Sequence, residues 1–94
     1  MSRAQAETIA IQALSFIAAN PQLLQRFLGI TGIDASDIRQ AAEGSGFLAG
    51  VLQFVLAHEP TLLAFSEASG IAPTNVANAL RELPFGEDRW DNQP

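Results

Sequence analysis

The sequence contains no cysteine. Disulfides, thiolate nucleophiles and cysteine-held metals are therefore excluded. Lysine is missing as well, and the five cations are Arg3, Arg26, Arg39, Arg81 and Arg89. That removes Schiff-base chemistry and the lysine of a phosphate-binding loop. There is no tyrosine, and histidine and tryptophan occur once each. So few acids, bases and nucleophiles remain that the expectation is a protein that is not an enzyme, with no cofactor and no metal. Long apolar runs are absent too. The longest, Phe47 to Ala57, contains Gln53 and reaches about half of the ~20 residues a bilayer span needs.

What remains fits one domain. The 94 residues are 48% hydrophobic, which is enough for a core and too apolar for a disordered chain. A net charge of −5 counts against a nucleic-acid-coating role. Near the N-terminus, Arg3 and the apolar stretch Ile9 to Ala19 imitate a signal peptide. Glu7, Gln12 and Ser15 interrupt that pattern, and a near-copy of the segment stands mid-chain. The segment reads as a folded helix, and the protein as cytoplasmic, with no membrane partner.

Helical punctuation recurs throughout, and no segment shows strand alternation. Ser2 with Gln5 predicts a capping box, and Ile9, Ala13, Phe16 and Ile17 follow at helical spacing, widened by Ala6, Ala10 and Leu14. Asn20-Pro21 stops this helix and starts a second, which carries Leu23, Leu24, Phe27 and Leu28 and ends at Gly32. Asp34 is the expected cap of a third helix, with Ile33 and Ile38 as a hydrophobic staple. Gly44-Ser45-Gly46 closes it, with Ser45 as candidate cap of a fourth helix, Phe47 to about His58. That helix is apolar nearly all round and should be central. Glu59-Pro60 repeats the cap-plus-proline junction before a fifth helix with Leu62, Leu63 and Phe65, ending at Gly70. A sixth runs from Pro73 with Val76, Ala79, Leu80 and Leu83, and Pro84 ends it.

The second half echoes the first. Leu14, Phe16 and Ala19 match Leu52, Phe54 and Ala57 at one constant offset. Phe27, Gly32, Ile33 and Ala41 match Phe65, Gly70, Ile71 and Ala79 at the same offset. Pro21, Leu23 and Leu24 match Pro60, Leu62 and Leu63 at an offset greater by one, so the alignment takes two single-residue gaps. The expected fold is all-α: a compact six-helix bundle of two tandem three-helix repeats with approximate two-fold symmetry. Residues 1–83 form one helical domain with units of about 2–44 and 45–83, and 84–94 form an acidic, partly flexible C-terminal tail. The spacing Gly46 to Gly50 suits close helix packing.

The strings Ala13-Leu14-Ser15-Phe16-Ile17-Ala18-Ala19-Asn20-Pro21, Leu24-Gln25-Arg26-Phe27-Leu28 and Thr31-Gly32-Ile33 resemble the signature of a small helical family. So do Phe47-Leu48, Val51-Leu52-Gln53-Phe54 and Leu62-Leu63-Ala64-Phe65. The family is an alphaproteobacterial domain of unknown function, DUF family 3572. The resemblance runs from about Ala4 to Leu83 and leaves the tail outside. It implies a helical fold and a bacterial cytoplasm. Its motifs are packing residues, so it carries over no functional residue.

Few constellations could carry chemistry. His58 has Glu59 beside it, but adjacent residues do not face one another on a helix. The bland reading is a polar side chain meeting the free carbonyls at the C-terminal end of the fourth helix. Gly44-Ser45-Gly46 lacks the strand and the lysine of a phosphate cradle and reads as a hinge. Residues 62–83 scan as a helix-turn-helix, with Thr74, Asn75, Asn78 and Arg81 available to a DNA groove. Against this, Ser66 stands where that motif prefers alanine, and the reading helix has one arginine and no lysine to neutralise phosphate. In the tail, Phe85 and Trp90 are candidate partner-binding anchors among acidic neighbours. The alternative is that both fold back over the domain surface. The leading reading is a non-catalytic protein-interaction or structural module whose partner is an unknown protein or a second copy in a homodimer. The DNA-binding reading is the alternative.

Overall fold

In the computed structural model the chain is described for residues 1–44 and 46–84. Among them are six α-helices, one 3-10 turn and no strand. The helices are α1 (Arg3–Ala18), α2 (Pro21–Thr31), α3 (Ile38–Ala41), α4 (Phe47–Leu56), α5 (Glu59–Ser69) and α6 (Pro73–Glu82). The 3-10 turn, Ala35–Asp37, precedes α3.

The helix ends obey local chemistry. The Ser2 hydroxyl accepts from the Gln5 backbone at 3.1 Å, and the Gln5 side chain accepts from the Ser2 backbone at 2.9 Å. This is the expected capping box, and it satisfies two of the free donors at the helix start. Asn20 caps α2 by accepting from Gln22 and Leu23. Gly32 and Gly70 end α2 and α5 at φ 75° and 78°, where a Cβ would be strained.

A hydroxyl one residue before each of these glycines completes the cap. Thr31 Oγ1 donates to the Phe27 carbonyl at 2.7 Å and accepts from the Ile33 amide at 3.3 Å. Ser69 Oγ donates to the Phe65 carbonyl at 2.7 Å and accepts from the Ile71 amide at 3.1 Å. The two caps are related by the offset that carries Phe27 onto Phe65. The N-caps Asn20 and His58 and the C-caps Ala19 and Ala57 obey that same offset. Neither single-residue gap is needed, because α5 begins one residue earlier than expected and its proline takes the second helical position instead of the first.

That shift rotates α5 in its seat. Leu63, read as a core residue, is 54% exposed, and Thr61 is buried instead. Helix α4 is central as predicted, with Phe47, Ala49, Val51, Leu52, Phe54 and Val55 buried. Against it lies the narrow stripe Ala6, Ala10, Ala13 and Ile17 of α1. Three alanines in that stripe bring the α1 backbone close to α4 and α6. Val76 and Ala79 of α6 fill the angle between α1 and α4, which are its main neighbours.

Other expectations fail in the first half. The third helix is only a 3-10 turn and one α-helical turn, and it does not pack on α1 and α4 as α6 does. Gly46, at φ 86°, is the N-cap of α4, so the cap does not fall on Ser45, which lies outside the described residues. A Cβ built on Gly50 meets nothing within 4 Å, so this glycine is not a close-packing contact. The small residue buried in the α4 interface is Ala49.

The alanine stripe makes a test. Ala10→Leu forces methylenes into a closed seam and is expected to cost about 1–3 kcal/mol in urea unfolding. The same change at exposed Ala18 is expected to cost under about 0.5 kcal/mol.

Candidate functional site

The single imidazole does not sit against the carbonyls closing α4. His58 is the N-cap of α5, in extended backbone, at the corner where α5 turns 106° from α4. Its Nδ1 lies 2.8 Å from Thr61 Oγ1 and 3.3 Å from Arg26 Nη1. A guanidinium cannot accept a hydrogen bond, so Nδ1 supplies the lone pair and the ring proton stands on Nε2. The Thr61 hydroxyl must then donate, and the shorter contact takes the larger share of that lone pair. Thr61 is 3% exposed, and this bond satisfies its polar atom.

Arg26 also lays its guanidinium over the Phe54 ring, 5.6 Å from the centroid. One arginine of α2 thus ties to both α4 and the start of α5. Glu59, the neighbour considered as a partner for His58, makes no side-chain hydrogen bond with it among the described residues. The arrangement is a tie between elements, with no nucleophile presented to an open cleft. Nor do three His, Cys, Asp or Glu side chains gather anywhere among the described residues.

A recess of about 200 Å³ lined by Arg3, Glu7 and Glu43 is mainly polar, while three other concave surfaces are mainly apolar. One lies between α1 and α5, about 410 Å³, lined by Ile11, Gln12, Ser15, Phe16, Phe65, Ala68 and Ser69. It shares Gln12 with a recess of about 420 Å³ that reaches Ile9, Ile71 and Asn75. A third, about 290 Å³, lies between α2 and α4 and is lined by Phe27, Thr31, Ile33, Ala41, Gly46, Phe47 and Gly50. Ring pairs stand at or beside the α1/α5 and α2/α4 clefts. Phe16 and Phe65 stand 5.5 Å apart, and Phe27 and Phe54 stand 5.4 Å apart. The rim of the α1/α5 cleft includes Ile11, which is 54% exposed.

The helix-turn-helix candidates also find places. Thr74, Asn75, Asn78 and Arg81 are all exposed on α6, with exposed Glu82 among them. Ser66, read as an obstacle to that motif, donates to the Ile71 carbonyl at 2.6 Å and pins the turn. Phe85 and Trp90, the anchors proposed from sequence, lie outside the described residues. The apolar clefts were missed, because they arise from tertiary pairing that no local spacing announces.

A change at Thr61 measures the corner. Thr61→Val keeps the volume and removes the donor, and is expected to lower stability by about 1–2 kcal/mol in urea unfolding. In a His58→Ala background the same change is expected to cost close to nothing, because neither partner of the bond is then present.

A family model described as "Protein of unknown function (DUF3572)" matches residues 3–86. The match takes in Phe85, which the sequence resemblance had left in the tail. No curated protein matches the chain, and no solved structure does.

Proposed function

The chain belongs to the DUF3572 family, and from that premise we propose a non-catalytic protein-interaction or structural module, built of two tandem three-helix units about an approximate two-fold axis. Three sets of observations support the symmetry. Helix caps recur at one constant offset, Ala19 to Ala57 and Asn20 to His58. The Phe27–Phe54 pair becomes Phe65–Phe16 when the units are exchanged at that offset. Under the same exchange Phe27, Thr31, Ile33, Gly46, Phe47 and Gly50 of the α2/α4 cleft map onto Phe65, Ser69, Ile71, Thr8, Ile9 and Gln12, which line the clefts beside α1.

The interaction reading is carried by one observation: the clefts beside α1 and between α2 and α4 are lined mainly by apolar surface, and large apolar side chains stand exposed at Ile11, Ile30 and Leu63. The side-chain hydrogen bonds described above, by contrast, are spent on caps, turns and the tie between α2 and α5. A binding face built of apolar contacts needs no reactive group. Phe85 and Trp90 supply further aromatic anchors, and a second copy in a homodimer or an unrelated cytoplasmic protein is the partner. No single described helix is long and apolar enough to cross a membrane.

The helix-turn-helix reading of residues 62–83 keeps one point in its favour, the exposed row Thr74, Asn78 and Arg81 on α6. Glu82 beside that row and the lack of lysine weigh against phosphate binding.

Affinity capture from native lysate tests the reading, using the full chain and a chain ending at Leu83. A protein held by the full chain and lost on truncation assigns the anchor to Phe85 and Trp90. A protein held by both assigns it to the helical body. Absence of any partner, together with the sedimentation mass of one chain at high concentration, ends the interaction reading. A mobility shift of duplex DNA at ~50 mM salt would revive the alternative. In a crystal structure a single half-turn is expected to carry residues 13–33 onto 51–71 and the reverse, and any other rotation ends the two-fold reading.

A further inference from the structure

The α2/α4 cleft and its counterpart beside α1 differ in one decisive side chain. In the α2/α4 cleft, Phe47 is buried and turns its ring edge-on to Phe27, with centroids 6.1 Å apart. The counterpart of Phe47 is Ile9, and Ile9 lines a recess of about 420 Å³ where the Phe47 side keeps about 290 Å³. The α1 side is therefore short of one aromatic ring. Its counterpart shows what fits there: a flat apolar ring meeting Phe65 as Phe47 meets Phe27.

The chain carries such a ring within reach. Leu83 and Pro84 line a recess with Arg3 and Glu7, so the chain leaves the described fold beside the first turns of α1. Ten residues follow, including the only tryptophan, Trp90. From Glu7 to Gln12 along α1 is ~7.5 Å, while the six residues from Pro84 to Trp90 span up to ~20 Å. The polar side chains lining the cleft, Gln12, Ser15 and Ser69, are neutral, so the acidic neighbours of Trp90 meet no like charge in the lining.

We infer that the recess at Ile9 and Ile71, with the α1/α5 cleft it adjoins through Gln12, is a ring-binding site and that its occupant in the free chain is the indole of the chain's own Trp90. The inference rests on the two-fold reading for the identity of the missing ring. It gives the interaction face a built-in cover: a partner that uses the cleft displaces Trp90.

Tryptophan fluorescence of the full chain tests this directly, since one residue gives the whole signal. The emission is expected to lie to the blue of N-acetyltryptophanamide, with acrylamide quenching reduced several-fold. Ile9→Phe, which builds the counterpart of Phe47, is expected to return both to free-indole values while circular dichroism stays helical. Ile11→Asp places a charge at the exposed rim and is expected to do the same, which covers the case where the larger ring disturbs folding. Free-indole emission in the unaltered chain overturns the inference, as does a blue shift that survives Ile11→Asp. A blue shift that grows with protein concentration also overturns it and assigns the seat to a second copy. If only the two-fold reading is wrong, Ile11→Asp still releases Trp90 while Ile9→Phe leaves it in place.

Discussion

Phe27 and Phe65 are each 1% exposed, and each finds its aromatic partner in the other half of the chain. That crossing is the constraint on which the rest depends. Phe27 packs edge-on against Phe47 and Phe54 of α4, and Phe65 tilts against Phe16 of α1. Such pairs add ~0.5–1.5 kcal/mol each beyond the area they bury. They work only because the stripe Ala6, Ala10, Ala13 and Ile17 lets α1 lie close to α4 and α6. Close helices and crossing rings are one solution to the problem of giving a 94-residue chain a single dry interior.

Polar chemistry serves the same end. Ser2, Asn20, Thr31, Ser66 and Ser69 all close a helix end or a turn. The His58, Thr61 and Arg26 group fixes the corner between α4 and α5 and holds α2 to it. A site for reaction needs polar groups converging on an open space. Here the His58, Thr61 and Arg26 side chains converge on each other, and the clefts beside α1 and between α2 and α4 are lined mainly by apolar surface.

Much of the fold is legible in the residues because it is decided locally. Asn20-Pro21, Pro73, Gly32 and Gly70 each mark a boundary through a cap or a fixed φ, and the boundaries fall where they stand. Legibility ends where distant contacts decide. Moving Pro60 to the second helical position turns α5 enough to expose Leu63 and bury Thr61, and nothing in a window of a few residues announces that. His58 takes its role from Arg26, far back along the chain on α2. The shortness of α3 goes with its lack of a seat on α1 and α4 and with the failure of the expected cap, since the Asp34 side chain makes no capping hydrogen bond. The clefts were hidden for the same reason: they exist only after two helices from different halves have met.

The crossing rings have a consequence for how the chain matures on the ribosome. When α2 emerges, the side chains that will shelter Phe27 are still unsynthesised or inside the exit tunnel. Phe16 waits longer, until Phe65 has been added. Neither early half has its own dry interior, so burial cannot proceed unit by unit as in a chain of independent domains. Nascent chains of this protein pass through a stage with oily side chains uncovered. Collapse to the native packing waits until α4 and α5 are both available to α1 and α2.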